Sequence, residues 1–352
     1  GCHPTADVEH GERTVPGDST HRGPGTDDPT EPQSRGSVTC DWDEDVFTTM
    51  TAESRQLFDM VKQFDEELIK VKSQTPALGT PWLLGEVMCG DQSQLTQQMQ
   101  QLGKHAFRFS RQDGDLSTCE GRTLLFQKVC RHRPQHIWYS PVCGPWSSWS
   151  QMNASKSLHQ YDEYVRKRQE LLYQIALGIT LYRHQVGQGY HLHWEQPLKS
   201  LMFRNPNMSE VHQHTQACQF DMCRAGNLRD PETQQPMKKG MTVLTSYPPL
   251  YNHLHGMTCN HQHVHQPLEG SCKPKPNQPA ILRTQYSESY TQKFARMVVK
   301  VLIKGGKQWP FNWRPGMLCF AQQDAACAAS SSSKVRRVAQ FERSELVQPI
   351  RR

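Results

Sequence analysis

Two residues near the ends of strand-like segments have side chains that could act together in a reaction. Cys143 lies in the turn Ser140-Pro-Val-Cys-Gly-Pro145, directly after a short apolar run. Glu195 lies further along the chain, at the end of a second such run. A cysteine thiolate attacks electrophilic carbon, and a carboxyl group at a buried strand end keeps its proton near neutral pH. The pattern indicates a nucleophile and a proton donor in one pocket, with a buried filler cysteine and a surface glutamate as the alternatives.

The segments between residues 82 and 139 predict a parallel sheet. Strands are expected at 82–88, 106–109 and 136–139, and a helical pattern separates each strand from the next. This order favours parallel pairing through crossover connections, and therefore an α/β fold with a doubly wound sheet. Ligands of such sheets bind beyond the carboxyl ends of the strands, which is where Cys143 falls.

Two further features fall at these strand ends. Cys89-Gly90-Asp91 precedes a helix, whose first N–H groups and positive dipole end could face a ligand. The segment lacks the Gly-x-Gly-x-x-Gly pattern, so an ordinary strand–helix turn is the alternative. Asp113 and Asp115 follow the second strand, where an acidic residue of doubly wound folds accepts hydrogen bonds from ribose. A solvated turn is the alternative for this pair.

The remainder of the chain divides by composition. Residues 1–48 predict a disordered arm, because they are rich in Pro, Gly, Thr, Asp and Glu, and residues 306–352 predict a low-complexity basic tail. Residues 49–76 predict an amphipathic helix that either packs on the core or joins a coiled coil with another chain. Its apolar stripe consists of Leu57, Val61, Phe64, Leu68 and Val71. The α/β domain is then expected over residues 77–305.

Within that domain, more elements are expected after Cys143. One long helix is predicted over residues 157–184, with a buried stripe that runs from Tyr161 to Tyr182. Two strands, at 217–223 and 241–246, are expected to pair antiparallel. A helix over 287–304 carries Tyr290 on its apolar face.

Cysteine and histidine are concentrated in an insertion at about 218–272. Alternate residues of an extended segment lie on the same side, so the histidines at 261, 263 and 265 could converge. The spacing matches no standard zinc finger, and a histidine-rich surface loop is the alternative. The predicted ligands for zinc are Cys259, His261, His263 and Cys272.

Composition restricts the class of protein. The chain has 352 residues, of which 36% are hydrophobic, and 40 Lys and Arg against 34 Asp and Glu give a net charge of +6. This charge permits contact with nucleic acid without requiring it. The 12 cysteines form no regular framework, which predicts reduced thiols in an intracellular protein. An apolar run of about 18 residues, as a membrane span requires, is not found, so no membrane partner is expected.

The order of motifs resembles that of the cytosine-C5 DNA methyltransferases. Glu86-Val-Met-Cys-Gly90 resembles their first, cofactor-binding motif. The turn around Cys143 resembles their nucleophile loop, which usually reads Pro-Pro-Cys-Gln-x-Phe-Ser. Glu195-Gln-Pro197 stands where the family has Glu-Asn-Val, and Cys223-Arg224 resembles part of a later, arginine-containing strand pair. The resemblance covers about residues 81–302 and extends to methyltransferase-like modules of protist retroelement-type polyproteins.

The resemblance implies a Rossmann-like methyltransferase sheet and a reaction on nucleic acid, with DNA as the expected partner and the nucleus as the expected location. Cys143 would attack C6 of cytosine, Glu195 would protonate or hydrogen-bond N3, and Arg224 would contact the base or backbone. The implied cofactor is S-adenosyl-L-methionine. The residues expected to lie against it are Glu86, Cys89, Gly90 and Pro141, with Asp113 or Asp115 on its ribose or base.

Several residues depart from the family pattern. Val142 replaces the proline before the nucleophile, Gly90-Asp-Gln replaces a glycine-rich turn, and Pro197 has no N–H to donate. These departures leave a second interpretation open. The chain would then be a catalytically inactive binding module of a retroelement-derived polyprotein, with or without a stabilising zinc ion.

Overall fold

The computed structural model describes residues 52–91, 93–275 and 277–305. The interpretations of residues 1–48 as a disordered arm and of 306–352 as a basic tail lie outside these residues. A helix occupies Ala52–Gln74, called α1, as the apolar stripe predicts. The residues that follow it form an α/β fold, in agreement with the expected class.

A mixed, mostly parallel sheet of six strands organises the fold, in the order β2-β1-β3-β4-β6-β5. The strands β2, β1, β3 and β4 are parallel to one another, and β6 is antiparallel to both β4 and β5. The predicted parallel strands and the predicted antiparallel pair are therefore both confirmed. The strands are β1 (Leu84–Val87), β2 (Ala106–Phe109), β3 (His136–Tyr139), β4 (His191–Pro197), β5 (Gln216–Asp221) and β6 (Gly240–Thr245).

Three helices cover one face of the sheet. They are α1, α3 (Cys119–His132) and α6 (Leu172–Gly187), and α1 packs on both of the others. All five apolar residues of the α1 stripe are buried there, so the stripe is an internal contact. Burial of each such side chain contributes roughly 1.5–3 kcal/mol. Ion pairs reinforce the contact, with Glu67 bound to Arg122 at 2.8 Å and Asp65 bound to Arg183 at 2.7 Å.

The opposite face is covered by α2 (Gln94–Gln101), α9 (Pro248–Leu254) and α11 (Gln292–Gly305). The helix α11 packs on α2 and α9 through buried Phe294, Val298 and Leu302. Strand alternation assigns side chains to the two faces, so Trp138 of β3 packs with α11 while Ile137 and Tyr139 pack on the α1 side. The same alternation on β4 places His193 and Glu195 on the α11 side.

The single helix predicted over residues 157–184 is wrong, because two helices replace it. The helix α5 (Leu158–Glu170) ends at Leu171, whose φ of −105° and ψ of 5° interrupt the helix before α6 begins. No residue of α5, which is described throughout, is fully buried, and Tyr161 is exposed. The predicted stripe crossed this break, so its first part never reaches the core. The short α4 (Ser148–Ala154) precedes α5.

The connection between the antiparallel strands begins with α8 (Met222–Ala225) and carries Lys238 and Lys239 into β6. The backbone N–H of Met222 donates to the Lys239 carbonyl at 2.9 Å, which holds the two ends of the connection together. None of the helices in the described ranges is long and apolar enough to cross a membrane.

Candidate active site and a Cys/His cluster

The chain reverses its winding direction between β1 and β3. From β1 it crosses to β2 on one side, and it later returns to β3 on the other side of β1. Such a switch point opens a crevice outside the carboxyl ends of the two strands, where α/β proteins bind ligands. The loop after β1 begins with Met88, whose φ of 60° is in the left-handed region. The loop after β3 carries Cys143.

The Cys143 loop is fixed at both ends. Pro141 is buried, and its carbonyl accepts a hydrogen bond of 2.8 Å from the Gln196 side chain of β4. Beyond the cysteine, buried Trp146 stacks under the Arg168 guanidinium at 4.7 Å from its ring centroid. Cys143, which lies between these two anchors, is only half-buried. A side chain held this way can meet a ligand without first ordering its own loop.

The Cys143 thiol is not activated in this structure. Burial raises its pKa, and the opposing positive charge of Lys239 does not overcome this effect. The negative charges of Glu195 and Glu288 raise it further. The Cys143 backbone N–H lowers the pKa, but this contribution does not overcome burial, so the resting form at neutral pH is the thiol.

Glu195 lies on β4 beside the end of β3. Its carboxylate accepts a hydrogen bond of 3.0 Å from the Tyr290 hydroxyl, which in turn accepts one of 2.9 Å from the Trp138 indole and lies 3.2 Å from the Ser140 hydroxyl. Burial raises the pKa of Glu195, and Lys239 and Tyr290 oppose the shift. The protonated carboxyl that the sequence predicts is thus favoured by its surroundings.

Tyr290 and Lys239 are site residues whose roles the sequence did not reveal. Tyr290 was expected on an apolar helix face, and its ring does pack against Trp138 and Phe294. Tyr290 precedes α11, which begins at Gln292 and not at 287 as expected, and its hydroxyl ties this segment to the site. A buried tyrosine ordinarily finds a hydrogen-bond partner, and that was the signal available in the sequence. For Lys239 the only signal was its place at the start of a strand.

Glu86 does not face the crevice. Its carboxylate accepts hydrogen bonds from the Ser93 hydroxyl, from the Thr96 hydroxyl at 2.8 Å and from the Thr96 backbone at 3.2 Å. It therefore caps α2 and occupies the helix end that was expected to meet a ligand. Burial raises the pKa of Glu86, although these hydrogen bonds act to lower it. Cys89 likewise turns inward, toward the Glu86 carbonyl at 3.8 Å, and burial raises the pKa of its thiol.

Gly90 is the residue of the first motif that does open to the crevice. It is exposed, and a Cβ built on it would meet no atom within 4 Å. Asp113 also lies near this edge, but its carboxylate accepts from the Ser110 backbone at 2.9 Å and pairs with Lys128 at 3.3 Å. Asp115 accepts from the Ser117 backbone at 3.0 Å. Both carboxylates therefore stabilise turns, as their alternative interpretation predicted.

Arg224 lies away from these groups, on the exposed side of α8. It lines a cavity of about 330 Å³ together with Gly256 and Lys293. No recorded contact within the described ranges joins it to Cys143 or Glu195. Arg224 therefore lines a different cavity from the one that adjoins the Cys143 loop.

A larger cavity, of about 590 Å³, begins one residue beyond Cys143. Its lining includes Gly144 from the loop, and Lys156, Tyr164 and Lys167 from the helical region that follows. Trp149 on α4 is 67% exposed. This volume falls in the range of ligand pockets, roughly 300–1,000 Å³. Basic and aromatic side chains thus adjoin the Cys143 loop, and Glu163 of the same lining pairs with Lys167 at 2.7 Å.

Three buried histidines lie beneath Glu195 on the same face of the sheet. The His136 and His193 rings are 3.0 Å apart between Nδ1 and Nε2, and His193 bonds the Thr245 hydroxyl at 2.8 Å. His191 stacks on His136 with 5.2 Å between ring centroids. Burial lowers the pKa of all three, to about 4 for His191. They are neutral at physiological pH and form part of the frame rather than a proton relay.

A separate group of ligands lies at the loop after α9. Cys223, Cys259, His263 and His265 bring one ligand atom each to within 4.8 Å of one another, and together they could hold a metal ion. Two of the predicted ligands, Cys259 and His263, belong to this group. The predicted ligands His261 and Cys272 do not, because His261 has a φ of 57° and bonds Lys238, and Cys272 is buried on a two-residue strand.

No protein-family model, curated protein or solved structure matches this chain. The residues of the two sites are therefore the basis for assigning a function.

Proposed function

We propose that this chain is an S-adenosylmethionine-dependent methyltransferase-like protein that acts on nucleic acid, with C5 of cytosine as its target. The observation that carries the proposal is the fastening of the Cys143 loop and Glu195 to the ends of adjacent parallel strands. Tyr139 of β3 pairs with Trp194 of β4, so Glu195 stands opposite the start of the loop. The Gln196–Pro141 hydrogen bond holds that arrangement.

The two side chains suit the two ends of one heterocycle. The Cys143 thiol would pass its proton to water, and its sulfur would bond to C6 of the ring. Protonated Glu195 would donate to N3 and so stabilise the negative charge that the addition creates. C5 thereby becomes nucleophilic. S-adenosylmethionine, when bound, supplies an electrophilic methyl group and would leave as S-adenosylhomocysteine. Loss of the C5 proton to a base, return of the N3 proton to Glu195 and cleavage of the sulfur–C6 bond would then release the product, and a proton from water would regenerate the thiol.

The residues around the switch point fit such a cofactor in part. Gly90 leaves open space at the carboxyl end of β1, where a nucleoside can approach the backbone. Glu86 and Cys89 face inward, so the backbone around Gly90 would make the contact in their place. The strand order β2-β1-β3-β4 is one in which doubly wound proteins bind nucleotides. This supports the Rossmann-like part of the proposal.

The outer side of the Cys143 loop supports a nucleic-acid target. Lys156 and Lys167 line the adjoining cavity, and Trp149 is exposed near them in the chain. Proteins that hold single strands or flipped bases combine basic grooves with aromatic side chains on which bases stack. A DNA target would place the protein in the nucleus.

A second function, an inactive nucleic-acid binding module, is favoured by two specific observations. The thiol pKa of Cys143 is raised, and Glu86 occupies the α2 N-terminus that a ligand would otherwise use. Such a module would bind nucleic acid through the same surface without binding the methyl donor. Cofactor binding therefore separates the two functions.

Calorimetry with S-adenosylmethionine tests the proposal directly. We expect the wild type to bind, and Gly90→Trp to lose binding because the indole fills the open space. Gly187→Trp is the matched control. Its Cβ also meets no atom within 4 Å, but it lies at the end of α6, before the amino end of β4. Absence of binding by the wild type would exclude the methyltransferase function. Unchanged binding by Gly90→Trp would show that S-adenosylmethionine does not bind in this crevice.

A further inference from the structure

The four side chains of the Cys/His cluster converge on one point. The Cys259 sulfur lies 3.5 Å from Nε2 of His263 and 3.3 Å from Nε2 of His265. The two histidine nitrogens lie 2.9 Å apart. Cys223 completes the group from α8, with its sulfur within 4.8 Å of the other three atoms. Two hydrogen bonds would explain two of these short distances. They would not explain why all four ligand atoms lie within 4.8 Å of one another.

The distances match the edges of a metal tetrahedron. With Zn–S of about 2.3 Å and Zn–N of about 2.05 Å, tetrahedral geometry requires S–N edges of about 3.6 Å and an N–N edge of about 3.3 Å. The observed S–N distances differ from this by a few tenths of an ångström. The N–N distance is shorter by about the same amount. A small outward movement of the two rings would admit the ion.

We propose that Cys223, Cys259, His263 and His265 bind one zinc ion in a closed, structural site. Two thiolates and two imidazoles are a preferred donor set for zinc, and four protein ligands leave no position for a substrate. The ion would join α8, which follows β5, to the loop after α9. This site differs from any of the standard fingers, because the first ligand lies far from the other three along the chain.

Backbone groups around the cluster hold its ligands in place. The His261 backbone N–H donates to the Cys259 sulfur at 3.3 Å. The Cys259 N–H donates to buried Asp221 at 2.8 Å and fixes the start of the loop. Such outer contacts orient ligands at zinc sites. Arg224 directly follows the ligand Cys223 in α8.

The cluster connects to the crevice through the backbone. Cys223 follows Met222, whose N–H donates to the Lys239 carbonyl. Lys239 is the cation that lowers the pKa of both Cys143 and Glu195. On the other side, Met237 forms a bridge with Gln266, one residue after the last ligand. The bound ion would therefore fix the segment that carries Lys239.

Metal content of the purified full chain tests the site. We expect one zinc per chain in the wild type, and a loss of zinc affinity of at least about tenfold in Cys259→Ser and in His263→Gln. His261→Gln is the matched control from the same loop, and Cys130→Ser is a control for a thiol elsewhere. Both controls should keep one zinc. Absence of stoichiometric zinc in the wild type, or equal zinc in all four variants, would overturn the proposal.

A measurement on the wild type covers the case in which the ligand variants fail to fold. We expect EDTA to lower the thermal midpoint of the wild type, and zinc, but not magnesium, to restore it. Cobalt should replace zinc and give the visible absorption of a tetrahedral thiolate complex. An unchanged midpoint after complete removal of the metal would contradict a structural role. None of these readouts depends on methyl transfer.

Discussion

The crevice and the Cys/His cluster hold their functional side chains in different ways. In the crevice, Cys143 and Glu195 come from the ends of adjacent strands, and hydrogen bonds to Pro141 and Tyr290 fix them. In the cluster, Cys259, His263 and His265 come from one loop, and their side chains contact one another. The comparison teaches that the sheet arranges the first site, whereas a loop arranges the second, which our proposal completes with an ion.

The largest effect is expected from replacing Cys143, which should abolish chemistry in the crevice and leave the Cys/His cluster intact. Cys143→Ala should lower formation of a covalent adduct with cytosine by at least about 10³-fold, because the nucleophile is removed. The measurement is trapping by DNA that contains 5-fluorocytosine, in which fluorine replaces the proton that must leave. Zinc content should stay at the wild-type value. Cys119→Ala, which removes an exposed thiol elsewhere, is the control, and equal trapping by both variants would contradict the role of Cys143.

A smaller loss is expected at the proton donor. Glu195→Gln keeps the shape of the side chain but cannot give a proton, so methyl transfer should fall by about 10²-fold. The wild type should lose activity as Glu195 ionises at high pH, and the variant should lack this alkaline decline. Cofactor binding measured by calorimetry should be unchanged. An intact alkaline decline in the variant would assign the donor to another group.

Acid should weaken the frame beneath the crevice. The unfolded chain protonates His136, His191 and His193 near pH 6.5, whereas burial keeps them neutral in the folded chain, to about pH 4 for His191. The unfolded state then binds more protons, so the free energy of unfolding falls as pH drops below 6.5. Each group contributes up to about 1.4 kcal/mol per pH unit.

Urea unfolding at pH 7.5 and pH 5.5, with EDTA at both, measures this effect without the metal. EDTA keeps acid release of zinc from the exposed His263 from adding to the result. Equal free energies at the two pH values would mean that the three rings are protonated or hydrated in the folded chain. The difference with and without EDTA reports how much of the stability comes from the cluster alone.

The smallest expected effect concerns the segment between the two regions. Lys239→Met removes the charge that opposes the raised pKa of Cys143, so that pKa should rise further. Alkylation of Cys143 by iodoacetamide should slow several-fold near neutral pH, with the rate recovering at higher pH. Lys238→Met is the matched control from the adjoining residue. A slower reaction in both variants would indicate a general loss of structure.

The sequence predicted best what depends on regular elements. The strand positions, the two pairing directions and the α1 stripe follow from periodicity, and all are present. The break at Leu171 was missed because the apolar spacing continued across it. The roles of Glu86 and Tyr290 could not be predicted, because each depends on partners that only the folded sheet brings near. Cys223 and His265 were among the candidate cysteines and histidines but not in the predicted ligand set, since ligand spacing along a chain says little about a loop that turns at His261.

The way α1 packs has a consequence for how this polypeptide can be cut. Its five buried stripe residues together represent roughly 7–15 kcal/mol of apolar burial, which equals the whole stability of an ordinary domain. The segment between α1 and β1 resembles a linker, but cleavage there would separate α1 from the core on which it packs. If the chain is processed from a larger precursor, productive cleavage must spare residues 75–83, and expression plasmids that start at β1 should yield aggregated protein.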